Sequence, residues 1–222
     1  MGKLFSLTTS DSHTLGAYRA DPDGTPKGAM VVAQEIFGVN SHIRNVCDRL
    51  AAQGYVAVAP ALFDRFVRDF ESGYSAEEVA LARTYIPKIE WPKVLLDIQA
   101  GLDDVKGAGP LGVIGFCLGG SAAFLSATRL SGLSAAVGFY GGAIVKFADE
   151  TPKCPVQLHF GETDASIPMS DVEIIKEKRK DCEIYTYPAG HGFYCDERAS
   201  FDDASAKLAW QRTLDFLSKN MK

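Results

Sequence analysis

The chain has little of what marks a nucleic-acid, membrane or disulfide-stapled protein. Lys and Arg total 23 against 28 Asp and Glu, a formal charge of −5. A clustered basic face for gripping phosphates is therefore not expected, and nucleic acid is not a partner. No apolar run approaches ~18–20 residues, so no membrane span is expected either. The opening Lys3-Leu4-Phe5-Ser6-Leu7-Thr8 is too short for the apolar core of a secretory leader and reads as a strand. Met1-Gly2 with Ser6 fits the loose myristoylation pattern, but an opening strand explains the same letters. Cysteine is sparse: Cys47, Cys117, Cys154, Cys182 and Cys195 are five in number, with no C-x-x-C pair. That usage argues for reduced thiols and a cytoplasmic location. There is no H-E-x-x-H, no cysteine–histidine cluster at ligand spacing, and no G-x-x-x-x-G-K or G-x-G-x-x-G loop. Neither a metal nor a cofactor is expected.

What is present is a core-forming α/β pattern. The 222 residues are 46% hydrophobic and 23% charged, which suits one domain over residues 1–222. Near-continuous apolar runs at Gly28–Ala33, Tyr55–Ala59, Leu111–Ile114, Ser134–Tyr140 and Val156–Phe160 read as buried parallel strands. Lys3–Thr8, His13–Arg19 and Glu183–Tyr187 read as further strands. Helical spacing appears at Ser41–Gln53, Ala76–Tyr85, Pro92–Val105, after Leu118, at Met169–Lys178 and at Ala204–Leu217. Leu62–Tyr74 has no regular pattern. Strands alternating with helices imply a doubly wound, mostly parallel sheet covered on both faces. A monomer is expected.

The most informative stretch is Gly115-Phe116-Cys117-Leu118-Gly119. It has the form of a nucleophile elbow, a sharp strand-to-helix turn that lifts its central side chain above the sheet, with cysteine in place of serine. An elbow nucleophile needs a base and an orienting acid, and these follow in the order nucleophile, acid, histidine. His13 and His42 precede Cys117, and His159 lies within an apolar strand, where a core role suits it better. His191, in the glycine-flanked loop Ala189-Gly190-His191-Gly192, is the expected base. Gly161-Glu162-Thr163-Asp164 follows the preceding strand, and Asp164 is favoured over Glu162 because a short carboxylate on a tight turn fixes an imidazole rigidly. Asp171 reads instead as a first-turn helix residue. Backbone amides of Leu118 and of Ile36, in the loop after Gly28–Ala33, are the expected oxyanion donors. Glu35 is the odd residue: a carboxylate ending a buried strand is costly unless paired. It either bridges to Arg44 or Arg65, or holds the thiol's proton and gates its ionisation.

A thiolate is the reactive form of cysteine, and helix N-termini and imidazolium both favour it. It is also a good leaving group, so the tetrahedral intermediate of an ordinary alkyl ester collapses back to ester. Enol and aryl esters go forward. The motif thus suggests a hydrolase of activated esters or lactones. A small carboxylesterase or thioesterase is the alternative, and a redox or ligand-binding protein without turnover is a third reading.

Together, Gln34-Glu35-Ile36-Phe37-Gly38-Val39-Asn40, Gly115-Phe116-Cys117-Leu118-Gly119-Gly120, Val137-Gly138-Phe139-Tyr140-Gly141, Gly161 to Asp164, and Ala189-Gly190-His191-Gly192-Phe193 resemble the dienelactone hydrolases (carboxymethylenebutenolidases) of the α/β-hydrolase superfamily. The resemblance implies cofactor-free hydrolysis of a dienelactone to maleylacetate in aromatic-ring degradation. It implies Cys117 as nucleophile, Asp164 and His191 as its partners, Glu35 as the group that activates the thiol when substrate arrives, and Ile36 and Leu118 as oxyanion donors. Phe37 and Tyr85 are expected at the substrate. The chain departs from the family where two arginines hold the substrate carboxylate. Those positions carry Cys195 and Leu81, with Arg198 and Arg83 nearby as replacements. Arg65 and Arg68 are further candidates.

Overall fold

The computed structural model describes residues 2–222. Eight strands form one sheet: β1 (Lys3–Thr8), β2 (Thr14–Ala20), β3 (Gly28–Ala33), β4 (Tyr55–Pro60), β5 (Leu111–Phe116), β6 (Leu133–Phe139), β7 (Val156–Gly161) and β8 (Glu183–Tyr187). Their spatial order is β1-β2-β4-β3-β5-β6-β7-β8. Only the β1–β2 and β2–β4 pairings are antiparallel; from β4 to β8 every neighbour is parallel. The reversal of strand order around β3 puts a crevice at the carboxyl ends of β3 and β5, where open α/β sheets bind ligands.

Period-2 alternation decides what each helix covers. Met30, Val32, Ala57 and Ile114 share one apolar cluster with Ile43, Val46 and Leu50 of α1 (Ser41–Ala52) and Ala206, Ala209 and Leu217 of α6 (Asp203–Asn220). Val31, Ala33 and Val113 turn the other way, onto Val94, Ile98 and Leu102 of α3 (Trp91–Val105) and Ala122 and Ala123 of α4 (Leu118–Arg129). Helices therefore lie on both faces, which is why the central strands carry apolar residues on each side.

Local signals set the ends of the elements. The Asn40 side chain caps α1 by accepting from the Ile43 amide, and Ser75 with Glu78 forms a reciprocal capping box on α2 (Ala76–Arg83). Pro92 sits in the first turn of α3, where its missing N–H costs nothing. Several boundaries differ from the sequence reading by a few residues, two of them at prolines. β4 takes in Pro60, opposite Ala17 at the end of its pairing with β2, rather than being closed by it. α2 stops at Arg83 instead of Tyr85, and a 3-10 turn at Ile86–Lys88 follows. Pro87 explains that, since it has no N–H to donate to the Arg83 carbonyl four residues back and so cannot continue the α-helical ladder. The remaining helix, α5, spans Met169–Lys178 and has Asp171 in its first turn, as expected. No helix among the described residues is long and apolar enough to cross a membrane.

Candidate active site

The elbow forms where β5 passes into α4. Cys117 has φ +55°, a left-handed conformation that non-glycine residues adopt only where the surroundings enforce it. The enforcement is visible in the neighbours. A Cβ on Gly115 would stand 1.9 Å from the Gly119 carbonyl oxygen, and one on Gly119 would stand 2.0 Å from the Ala33 oxygen. Any side chain at either glycine pushes the helix off the strand. The Cys117 amide donates to the Phe139 carbonyl at the end of β6 (3.0 Å), and the Gly119 amide donates to the Gln34 carbonyl after β3 (2.9 Å). The thiol is thereby fixed above the sheet's carboxyl edge, half-buried.

Parallel pairing of β7 with β8, with Gly161 opposite Tyr187, brings the next two loops together. Asp164 follows β7 and is buried; its Oδ1 accepts from the Ser166 amide (2.8 Å), and its Oδ2 faces His191 Nδ1 at 2.7 Å. Cys117 and His191 line the same cavity, and the sulfur is close enough to act electrostatically on the imidazole. Burial alone would disfavour a charged His191. The negative sulfur of Cys117 and the Asp164 carboxylate outweigh it, and the imidazole pKa rises to about 10. Glu162 lies outside this arrangement, exposed and bonded to Thr186.

Ile36 and Leu118 both line the cavity next to the thiol. Among the described residues neither backbone amide donates to a protein acceptor, so two N–H groups are free beside Cys117. The cavity measures about 250 Å³, and its wall is chiefly apolar: Ile36, Phe37, Val79, Ile86, Trp91, Leu118 and Ile167.

Glu35 is fully buried and is paired, but with neither arginine the sequence suggested. Its Oε1 bonds Arg198 Nη1 at 3.1 Å, and its Oε2 accepts from the Tyr74 hydroxyl at 3.3 Å. Arg44 is engaged by Glu71 and the Val39 carbonyl. Arg65 is engaged by Asp97 and Asp11, and Arg68 donates to the Thr14 carbonyl. The cavity lining therefore excludes Arg65 and Arg68. It includes Arg198, whose guanidinium lies 5.5 Å from the Phe37 ring centre and 5.6 Å from that of Tyr74, and it includes Arg83 on its exposed rim.

Tyr85 is a correction. It packs among Phe63, Phe66 and Phe70 and is absent from the lining, because α2 ends early and the following turn redirects the chain. Sequence reasoning also missed Tyr74 and Trp91. Trp91 is one of only two tryptophans and stands in the first turn of a helix, but nothing in the letters tells which way its ring points.

His159 is a core residue, as expected. Its ring nitrogens bond the Tyr187 hydroxyl (2.8 Å) and Gln157 Oε1 (2.9 Å), and burial lowers its pKa to about 3. No metal ligands were expected from spacing, yet the fold brings Glu35, His42 and Cys195 together in the interior behind the cavity.

Strand order, elbow and the loop carrying His191 define an α/β-hydrolase. The Dienelactone hydrolase family model matches residues 15–221, and this chain belongs to that family of hydrolases. A Synechocystis protein assigned as a carboxymethylenebutenolidase is 36% identical, over 94% of this chain and 93% of its own length. The carboxymethylenebutenolidase of Pseudomonas putida is 33% identical, over 96% and 94%. Among solved structures, a Klebsiella pneumoniae protein assigned as a dienelactone hydrolase superposes with TM-score 0.86 at 32% identity, covering 99% of both chains. A Pyrococcus furiosus esterase shares the fold at TM-score 0.74 and 18% identity, over 100% of this chain and 93% of its own.

Proposed function

We propose that this chain hydrolyses activated esters or lactones with Cys117 as nucleophile, His191 as general base and then general acid, and Asp164 as the carboxylate that orients the imidazole. The observation that carries this reading is that Cys117 and an Asp164-bonded His191 face one apolar cavity. Proton transfer from thiol to imidazole gives a thiolate–imidazolium pair. Attack on the acyl carbon puts negative charge on the carbonyl oxygen, and the unengaged amides of Ile36 and Leu118 receive it. Collapse expels the enolate or phenolate, His191 supplies any proton the leaving group needs, and water then attacks the thioester with His191 again as base.

Glu35 and Arg198 give the reading its selectivity. In the structure Arg198 stands between Glu35 and the cavity. A substrate carboxylate that engages Arg198 loosens the pairing with Glu35, and the released carboxylate charge favours the imidazolium of the thiolate–imidazolium pair. Arg83 on the rim and Arg198 within would hold a compact anionic lactone of the dienelactone kind, with Phe37 beneath its planar body. The apolar share of the wall favours a second reading, a carboxylesterase of small neutral esters.

The test is a substrate panel. Enol and aryl acetates should turn over with kcat at least about 100-fold above ethyl esters, and equal rates would contradict the thiol chemistry. Arg198→Ala and Arg83→Ala should raise KM for acidic esters and leave neutral ones little changed. An unmoved KM for the acidic ester selects the carboxylesterase.

A further inference from the structure

Two buried histidines in this chain have opposite hydrogen-bonding states. His159 has a partner on each ring nitrogen. His42, fully buried in the first turn of α1, has none on either Nδ1 or Nε2 among the described residues. An imidazole stripped of water with both nitrogens unused is costly, and native interiors almost always satisfy such groups. One imidazole nitrogen, the Cys195 sulfur and a Glu35 carboxylate oxygen lie within 4.8 Å of one another, all three residues buried.

We propose that Glu35, His42 and Cys195 form a binding site for a thiophilic divalent cation of the zinc class, separate from the Cys117 nucleophile. The donor set is one thiolate, one imidazole and one carboxylate. It suits borderline-soft Zn²⁺, or Co²⁺ in the same tetrahedral geometry, and not Mg²⁺ or Ca²⁺, which want oxygen alone. In a tetrahedral zinc site such donors stand roughly 3.3–3.6 Å apart, so a contraction of about 1 Å closes the cage, with water as fourth ligand. Binding breaks the Cys195 S–H bond, passes its proton to solvent and forms a metal–sulfur bond. No oxidant or reductant is needed.

The surroundings support the assignment. Burial keeps His42 neutral, the form that ligates, by lowering its pKa. Asp196 Oδ1 lies 3.7 Å from His42 Nδ1 on the outer side and is 38% exposed. A sub-ångström shift there makes a carboxylate–histidine pair that would leave Nε2 as the ligand, while Arg49 holds the other Asp196 oxygen. Burial, and then the facing Glu35 carboxylate, push the Cys195 thiol up to about 12. Cys195 is therefore an inert thiol until a cation replaces its proton. Glu35 spends one contact per oxygen on Arg198 and Tyr74, which leaves lone pairs for the ion. A loaded site competes with Arg198 for Glu35.

The experiment is a Co²⁺ titration of the full chain carrying Cys117→Ser, which removes the competing catalytic thiol. Thiolate-to-cobalt charge-transfer absorption should saturate at one ion per chain. In the Cys117→Ser background, Cys195→Ala should abolish that band, and His42→Ala should weaken binding by at least about tenfold. Circular dichroism confirms that each variant is folded; should His42→Ala not fold, Cys195→Ala alone decides. Absence of the band in the Cys117→Ser protein, or its persistence in folded protein without Cys195, would overturn the proposal.

Discussion

His159 and His191 sit on the same pair of strands and meet opposite fates. His159 is inside β7, against the Tyr187 hydroxyl and Gln157 Oε1, and burial drives its pKa down to about 3. His191 is just past β8, against Asp164 and the Cys117 sulfur, and its pKa climbs to about 10. Both rings are largely withdrawn from water, the His191 side chain being 20% exposed. What separates them is the charge of their partners: neutral dipoles cannot offset desolvation of an imidazolium, and a carboxylate with a thiolate can. Within one sheet, the strand interior makes a structural histidine and the loop beyond the strand makes a chemically useful one.

The contrast can be broken most forcefully at the sulfur. Cys117→Ala should lower kcat on an aryl acetate by about 10⁴-fold or more, whereas His159→Gln should leave kcat within a few-fold. Stopped-flow or steady-state assays of both variants decide it, and a comparable loss in His159→Gln would erase the distinction. Next in size, Asp164→Asn keeps the shape but removes the charge, and should cost roughly 10³–10⁴-fold in kcat. A loss below tenfold would mean that Asp164 is only a turn residue.

Stability against pH gives the third effect, with opposite signs at the two sites. The folded pKa of His159 lies below that of a free imidazole, so the unfolded chain takes up its proton first. Stability should fall as pH drops from about 6.5 toward 3, by roughly 1.4 kcal/mol per pH unit while the difference lasts. His159→Gln should flatten that limb in thermal melts. The folded pKa of His191 is raised, so its contribution is complete below about 6.5 and is lost as pH climbs toward 10. His191→Gln should flatten the alkaline limb instead. Identical profiles for wild type and variant would refute the assignment at that site. Smallest, Trp91→Ala opens one wall of the cavity and should raise KM several-fold with kcat little changed.

Much of this was legible before any coordinates. The elbow, the strand alternation and the loops carrying Asp164 and His191 are local patterns, and local patterns are what a single sequence records. Cys117 at φ +55° between Gly115 and Gly119 follows directly from such a pattern. What stayed hidden depends on contacts between distant segments. Glu35 meets Arg198 across 163 positions, and no spacing rule favours that arginine over Arg44 or Arg65. Tyr85 was misplaced because a single proline two residues later shortens its helix and turns its ring into an aromatic cluster. The meeting of Glu35, His42 and Cys195 joins a strand end, a helix start and a loop, so it too is invisible in linear order.

Rapid-quench mass spectrometry with an aryl acetate tests the central claim most directly. Protein mixed with substrate for a fraction of one turnover, quenched in acid and digested should carry an acetyl group on the peptide containing Cys117, and Cys117→Ala should carry none. Turnover without that adduct at any quench time, together with an unimpaired Cys117→Ala variant, would contradict the account.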